Sequence, residues 1–194
     1  MKEVFLDDLT LTNKSFCDEV LDNLNFNYKS LNNMVFEDCK LYNLNFSHSN
    51  FKRVTLKHCE LINCIFDNCN LNDLIVENSK IMGINIFDTS INKLKLIESY
   101  VNNVDFKNNK YENSDIEISR IKCVKYLNSL FNNINYNYSE LEDLLYYETQ
   151  VKNSNFFTSK LQNFDIDFRD FENSAFSNLQ ILEIVINQGI DIKE

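Results

Sequence analysis

Every fifth residue of this chain is apolar or tyrosine, from Leu6 to Ile186, over 37 positions without a slip of register. A strand buries every second residue and a helix buries positions three and four apart, so a period of five fits neither element. Two residues after each of these centres, 16 of the 37 positions are Asn, six are Asp and one is Gly83. Those residue types tolerate a left-handed backbone best, and a type II turn requires φ > 0 at its third residue. The chain therefore offers one inward apolar point and then one corner, every five residues. A coil with short sides and frequent turns meets that pattern. With 32 Asn, two Gly and no Pro, Asn takes the turn-forming role that Gly and Pro usually fill.

The stretches CNLND (69–73), SNFKR (49–53) and VDFKN (104–108) resemble the pentapeptide-repeat family, whose consensus is a small residue, Asp or Asn, Leu or Phe, a polar residue and Gly. The resemblance covers about residues 4–178. It implies an all-β fold, a right-handed quadrilateral β-helix with four repeats per coil. Thirty-seven repeats then make about nine coils, a rod roughly 43 Å long at a strand spacing of ~4.8 Å.

A twenty-residue coil stacks Leu41 on Leu61, and Phe26, Phe46, Phe66 and Phe106 in a mostly aromatic ladder. These six are the expected core. The position two before each centre is small in the family. Here small ladders (Cys39, Cys59, Ser79, Ser99; Ser49, Cys69, Thr89) alternate with bulky ones (Met34, Val54, Leu74; Leu44, Ile84, Val104). Unequal side chains cannot fill equal space in a close-packed interior, so the pattern predicts unequal faces or different turns at alternate corners. Lys14, Glu19 and Lys29 occupy inward positions of the first coils, which predicts a loose first coil or cap.

The β-helix is expected over residues 1–178 and a separate tail over 179–194. NLQILEIVINQG (178–189) offers Asn178 as a cap and Gly189 as a stop for a helix. It also reads as one last coil, because Ile181 and Ile186 keep the register. The tail resembles that of the quinolone-resistance (Qnr) type of pentapeptide protein, where a helix and a short strand join two chains; GIDI (189–192) would be the strand. The candidate dimer interface is Phe176, Ile181, Leu182, Ile184, Val185 and Ile186.

Unbroken apolar runs reach four residues at most, which excludes a membrane-spanning helix. The opening MKEVFLDDLT carries acids where a secretory signal needs an apolar stretch, so a cytoplasmic location and free thiols are expected. Cys59, Cys64 and Cys69 are spaced C-x4-C-x4-C, unlike the closer pairs of zinc sites, and read as buried thiols. His48 and His58 fall on opposite corners, which excludes a catalytic pairing between them. No Gly-rich phosphate loop or basic aromatic motif is present. No catalytic residue, metal, cofactor or direct nucleic-acid contact is expected. Tyr111, Tyr126, Tyr136 and Tyr146 point inward, and each phenol needs a partner there; a wet or widened core and a ligand pocket are both open.

Charge is the one functional clue. The net charge is −10, and acids line two opposite sides of the rod, one of them centred on residues 26, 46 and 66. Asp67, Asp88, Asp105, Glu148, Asp165 and Asp167 are the candidate interaction face, with Asp7 and Asp8 nearer the start. Qnr-type members are acidic rods that dimerise end to end, imitate duplex DNA and bind DNA gyrase. The resemblance therefore implies a homodimer that mimics DNA on gyrase or topoisomerase IV and modulates quinolone sensitivity. The repeat-interrupting loops of the Qnr type are missing here. The alternative is a protein-interaction scaffold for another partner, without gyrase activity.

Overall fold

The computed structural model describes residues 8–164 and 166–190. The backbone winds as a parallel β-solenoid in which strands pair at an offset of twenty residues. Leu11 lies beside Leu31, Leu41 beside Leu61 and Val101 beside Ile121. The strands form one sheet of eleven and one of eight. Nine rungs stack on one face from Thr10–Thr12 to Phe171–Glu172, which makes about eight full turns.

The corners follow the five-residue period. Every fifth residue from Asn13 to Asn153 has φ between 47° and 62°. Asn, Asp and Gly83 hold most of these places, but Tyr28, Arg53, Lys93, Ile118 and Tyr138 hold others. For a β-branched residue such as Ile118, at φ 49°, this conformation is strained. The period is interrupted at Phe168–Asp170, a short 3-10 helix, and returns at Asn173, φ 52°, with Phe171 beside Val151.

Alternate corners differ, as the two kinds of inward ladder predict. Eight-residue strands such as Ser30–Glu37 and Lys80–Phe87 pass through one corner (Asn33, Gly83) and stop at the next (Asp38, Asp88). Bulky Met34 and Ile84 follow the corners that strands pass through, and both are buried. Small Cys39 and Thr89 follow the corners where strands stop. Size is only part of the reason. The hydroxyls at stopping corners bridge coils: Ser99 Oγ accepts from Ser79 N at 3.1 Å and donates to Ile97 O at 2.8 Å. Thr89 Oγ1 likewise accepts from Cys69 N at 3.1 Å. A small hydroxyl there closes backbone bonds that a bulky aliphatic would leave open.

The interior is one continuous apolar column. Phe26, Phe46 and Phe66 stack with centroids 5.2 and 5.0 Å apart. Phe106 stacks on Tyr126 at 5.1 Å but remains half-buried. Leu41 and Leu61 are buried in the neighbouring ladder of the same sheet, since the strands Lys80–Phe87 and Tyr100–Lys107 carry members of both. From Thr10 onward the first coil is paired to the second, and Lys29 is buried with its Nζ donating to Asp8 O at 2.8 Å.

The tail is a helix, α1, over Asn178–Asn187. Its cap is Ser177 rather than Asn178, because the Ser177 hydroxyl reaches Gln180 N at 3.2 Å while Gln180 Oε1 accepts from Ser177 N at 2.7 Å. The last two residues of the GIDI stretch lie outside the described residues, so the expected strand has no structural description. Among the described residues no helix is long and apolar enough to cross a membrane.

Candidate interaction surfaces

The twenty-residue winding decides which exposed side chains share a side. Asp67, Asp88, Asp105 and Glu148 lie on one side of the solenoid, on coils centred at Phe66, Ile86, Phe106 and Tyr146. Asp88 and Glu148 project from corners at φ 53° and 50°. The other two are engaged locally. Asp67 accepts from Phe87 N at 3.2 Å, and its partial burial raises its pKa. Asp105 lies 3.9 Å from Lys125 Nζ. Asp165 is outside the described residues. Asp167 serves the fold: it caps the 3-10 helix and binds Arg169 Nε at 3.0 Å, and the Arg169 side-chain bonds hold its carboxyl down to about 2.

A second charged surface escaped the sequence reading. Arg120 Nη2 and Lys122 Nζ reach Glu142 at 3.0 and 2.6 Å, and Lys160 reaches Glu140 at 3.2 Å. The signal was present as opposite charges twenty or so residues apart, the offset that becomes one coil. Its mixed signs make it a lattice of surface ion pairs and not a uniform field.

The tail separates the candidate dimer residues into two groups. Ile184 is buried and Phe176 stacks on Phe156 at 4.9 Å, so both face their own chain. Gln180 Nε2 donates to Phe156 O and Ser159 O at 2.7 and 2.6 Å, which seats α1 on the last coil. Val185 is half-buried. Ile181, Leu182 and Ile186 remain exposed, and Leu179 and Ile190 extend that surface.

Another apolar surface lies at the corner carrying Ile118 and Tyr138, which are 60% and 72% exposed, with Phe157 nearby at 59%. Tyr138 and Phe157 sit one coil apart at adjacent positions, since Tyr138 N bonds Thr158 Oγ1 at 3.1 Å. The sequence marks these positions as corners, and it is the apolar side chains at them that the period of five leaves unassigned.

Cys39, Cys59, Cys64 and Cys69 are buried free thiols, while Cys17 and Cys123 are exposed. Burial pushes the Cys59, Cys64 and Cys69 thiols up to about 11. Two exposed donor sets share Asp38: Cys17 with Asp18, and Glu37 with His58. Lys57 Nζ already lies 3.2 Å from Glu37 and occupies the cationic place at the second set. His48 stacks flat on Tyr28 with centroids 4.7 Å apart.

This winding, with parallel rungs twenty residues apart and a left-handed corner at every fifth residue, decides the fold. The chain has the pentapeptide-repeat fold. The pentapeptide-repeat solenoid is similar to the structure of trypsin-treated QnrB1, a plasmid-mediated fluoroquinolone resistance protein, with a TM-score of 0.56 and 14% identity over 95% of this chain and 99% of that one. Matches also include HetL, a pentapeptide repeat protein involved in heterocyst differentiation regulation from the cyanobacterium Nostoc sp. strain PCC 7120 (TM-score 0.31, 9% identity, 87% of this chain and 90% of that one). Rfr23 from the cyanobacterium Cyanothece 51142 matches at TM-score 0.33 and 12% identity, over 87% of this chain and 92% of that one. The family model described as the SV2A/B/C luminal domain matches residues 14–106 of the solenoid. No curated protein sequence matches it.

Proposed function

We propose that the protein is a non-enzymatic, cytoplasmic rod that binds a type II topoisomerase, gyrase or topoisomerase IV, in place of DNA and alters quinolone sensitivity. The observation that carries this reading is the row of carboxylates at Asp67, Asp88, Asp105 and Glu148, set on one side of an uninterrupted solenoid with a net charge of −10. A protein surface built to hold duplex DNA attracts regularly spaced negative charge. QnrB1, the resistance protein that shares the fold, supports the choice of target. The rod acts as a dimer through the exposed side of α1, where Ile181, Leu182 and Ile186 await cover. Gyrase supercoiling is the test: purified protein at micromolar concentration inhibits the reaction, or rescues it from a quinolone. No effect in either assay overturns the proposal.

The exposed corner of Ile118 and Tyr138 favours a second reading, a scaffold whose partner docks by apolar contact and not by charge. Its binding would persist at high salt, whereas a DNA-like contact is screened.

A further inference from the structure

The column of core side chains has a gap. In the bulky inward ladder Leu74, Leu94, Ser114, Ile134, one member is small. Ser114 Oγ donates to Glu112 O at 3.0 Å and accepts from Leu94 N at 3.1 Å, so its polar atom is used at the wall. No aliphatic side chain fills the space that remains. An interior cavity of about 100 Å³ runs along the column between Phe51 and Tyr136, lined by aliphatic and phenylalanine side chains together with Ser114, Tyr111, Tyr126 and Tyr136.

The tyrosines converge on this region from more than one wall. Tyr126 and Tyr146 stack one coil apart at 4.8 Å in one ladder. Tyr136 stands ten residues from each, half a turn away on the facing sheet. Tyr111 stacks on Phe131 at 4.4 Å in the adjoining ladder and meets Tyr126 edge-on at 6.3 Å. The phenol oxygens of Tyr111, Tyr136 and Tyr146 are fully buried and make no hydrogen bond of ordinary geometry, although the Tyr136 hydroxyl stands close to those of Tyr126 and Tyr146. Burial, and then the neighbouring phenols, push all three well above the ordinary tyrosine range, so they stay neutral.

Two buried hydroxyls on the wall of a void, those of Tyr111 and Tyr136, are unlike an ordinary packing defect. Cavities lined only by hydrocarbon stay dry, whereas buried polar groups retain bound partners. One water needs only about 10–15 Å³ of such space. We propose that this cavity is an interior binding site for small neutral hydrogen-bonding molecules, held by the hydroxyls of Tyr111 and Tyr136. Water is one source; a small organic molecule with a hydroxyl or carbonyl, enclosed as the coils close, is the other. The aliphatic walls exclude ions, whose desolvation nothing there offsets.

The test is the sign of a stability change. Tyr111→Phe and Tyr136→Phe each remove one hydroxyl and leave the ring stacks on Phe131 and Phe156 intact. In an occupied site each substitution strips a bonded partner and lowers Tm by about 2–4 °C. In an empty cavity each removes an unpartnered polar group and raises Tm. Wild-type protein gives a second, independent measurement. NMR cross-relaxation between water and the tyrosine hydroxyl protons identifies water as the occupant. A stoichiometric mass adduct in native mass spectrometry, lost on unfolding, identifies an organic one. Raised Tm in both variants, or a wild-type protein with neither signal, overturns the proposal.

Discussion

The side-chain amide of Gln180 donates to the main-chain carbonyl of Phe156 at 2.7 Å, tying the terminal helix to the coil beneath it. The same amide reaches Ser159 O, and its oxygen completes the capping box with Ser177. One buried side chain therefore closes both the helix start and the end of the solenoid. Gln180→Ala leaves two carbonyls without a donor and removes half of the cap. The expected cost is about 2–4 kcal/mol, read from the urea midpoint, with faster proteolysis after residue 177. Unchanged stability would show that α1 is not seated on the last coil.

Ile118 makes the opposite case. It sits at φ 49° and is 60% exposed, so it bears left-handed strain with little burial in return. Ile118→Asn is expected to stabilise the protein by about 1 kcal/mol, a Tm rise of about 2–4 °C for a chain of this size. Asn78→Ile at the equivalent corner two coils away, φ 48°, should destabilise by a similar amount. A fall in Tm for Ile118→Asn would mean that the isoleucine is covered by a partner chain.

The period of five, the left-handed corners and the core ladders were legible in the sequence because each follows from local steric rules applied at fixed spacing. Phe26, Phe46 and Phe66 needed only the twenty-residue offset to be stacked correctly. The seat of α1 was not legible, since the bonds from Gln180 to Phe156 and Ser159 depend on where a helix lands after the repeat ends. Asp167 was assigned to the acidic face by register, but the register lapses at Phe168–Asp170 and Arg169 claims the carboxylate. The same twenty-residue offset places Asp105 beside Lys125, so opposite charges that pair across neighbouring coils are legible in the sequence as well.

The cysteines supply a test of burial and of pH response. Only Cys17 and Cys123 are exposed, so a thiol reagent should label two groups in the native protein and six after denaturation. Cys59, Cys64 and Cys69 have folded pKa values raised to about 11, against about 8.5 for a free thiol. Raised folded values mean that their contribution is intact below about pH 8.5 and is lost as pH climbs toward 11, because the unfolded chain releases protons first. Denaturation curves from pH 8 to pH 11 should show this decline. Replacing the three with Ser or Val should flatten it. Rapid labelling of all six thiols at pH 8 would contradict the packing.

Neutralising the acidic side should weaken binding without harming the fold. Asp88 and Glu148 are exposed corner residues, and Asp88 accepts only a surface bond from Asn108 at 2.9 Å. Asp88→Asn with Glu148→Gln is expected to change stability by no more than about 0.5 kcal/mol. The double variant should bind gyrase several-fold less tightly, with a shallower dependence on salt. Equal binding by the variant and the parent would move the contact away from this side.

The proposed dimer would rest on the surface of α1 that faces away from the solenoid. Ile184 is spent on the chain's own last coil, so it cannot also serve a partner. Ile181, Leu182 and Ile186 are 40%, 39% and 53% exposed, and Leu179 adds 64%. Four large aliphatics on one short helix form a patch that is costly to leave in water, and a second copy related by a two-fold axis covers it with the same residues. The opposite end offers less for such contact, since Lys14 and Glu19 are only half-buried there. Light scattering of the intact chain should therefore give the mass of a dimer. Leu182→Glu places a carboxylate in the middle of the patch and should yield monomers with Tm little changed, because its side chain is not part of the contact with Phe156. Monomers from the parent chain at high micromolar concentration would leave the patch to another protein and remove the doubled rod length on which the DNA-like reading depends.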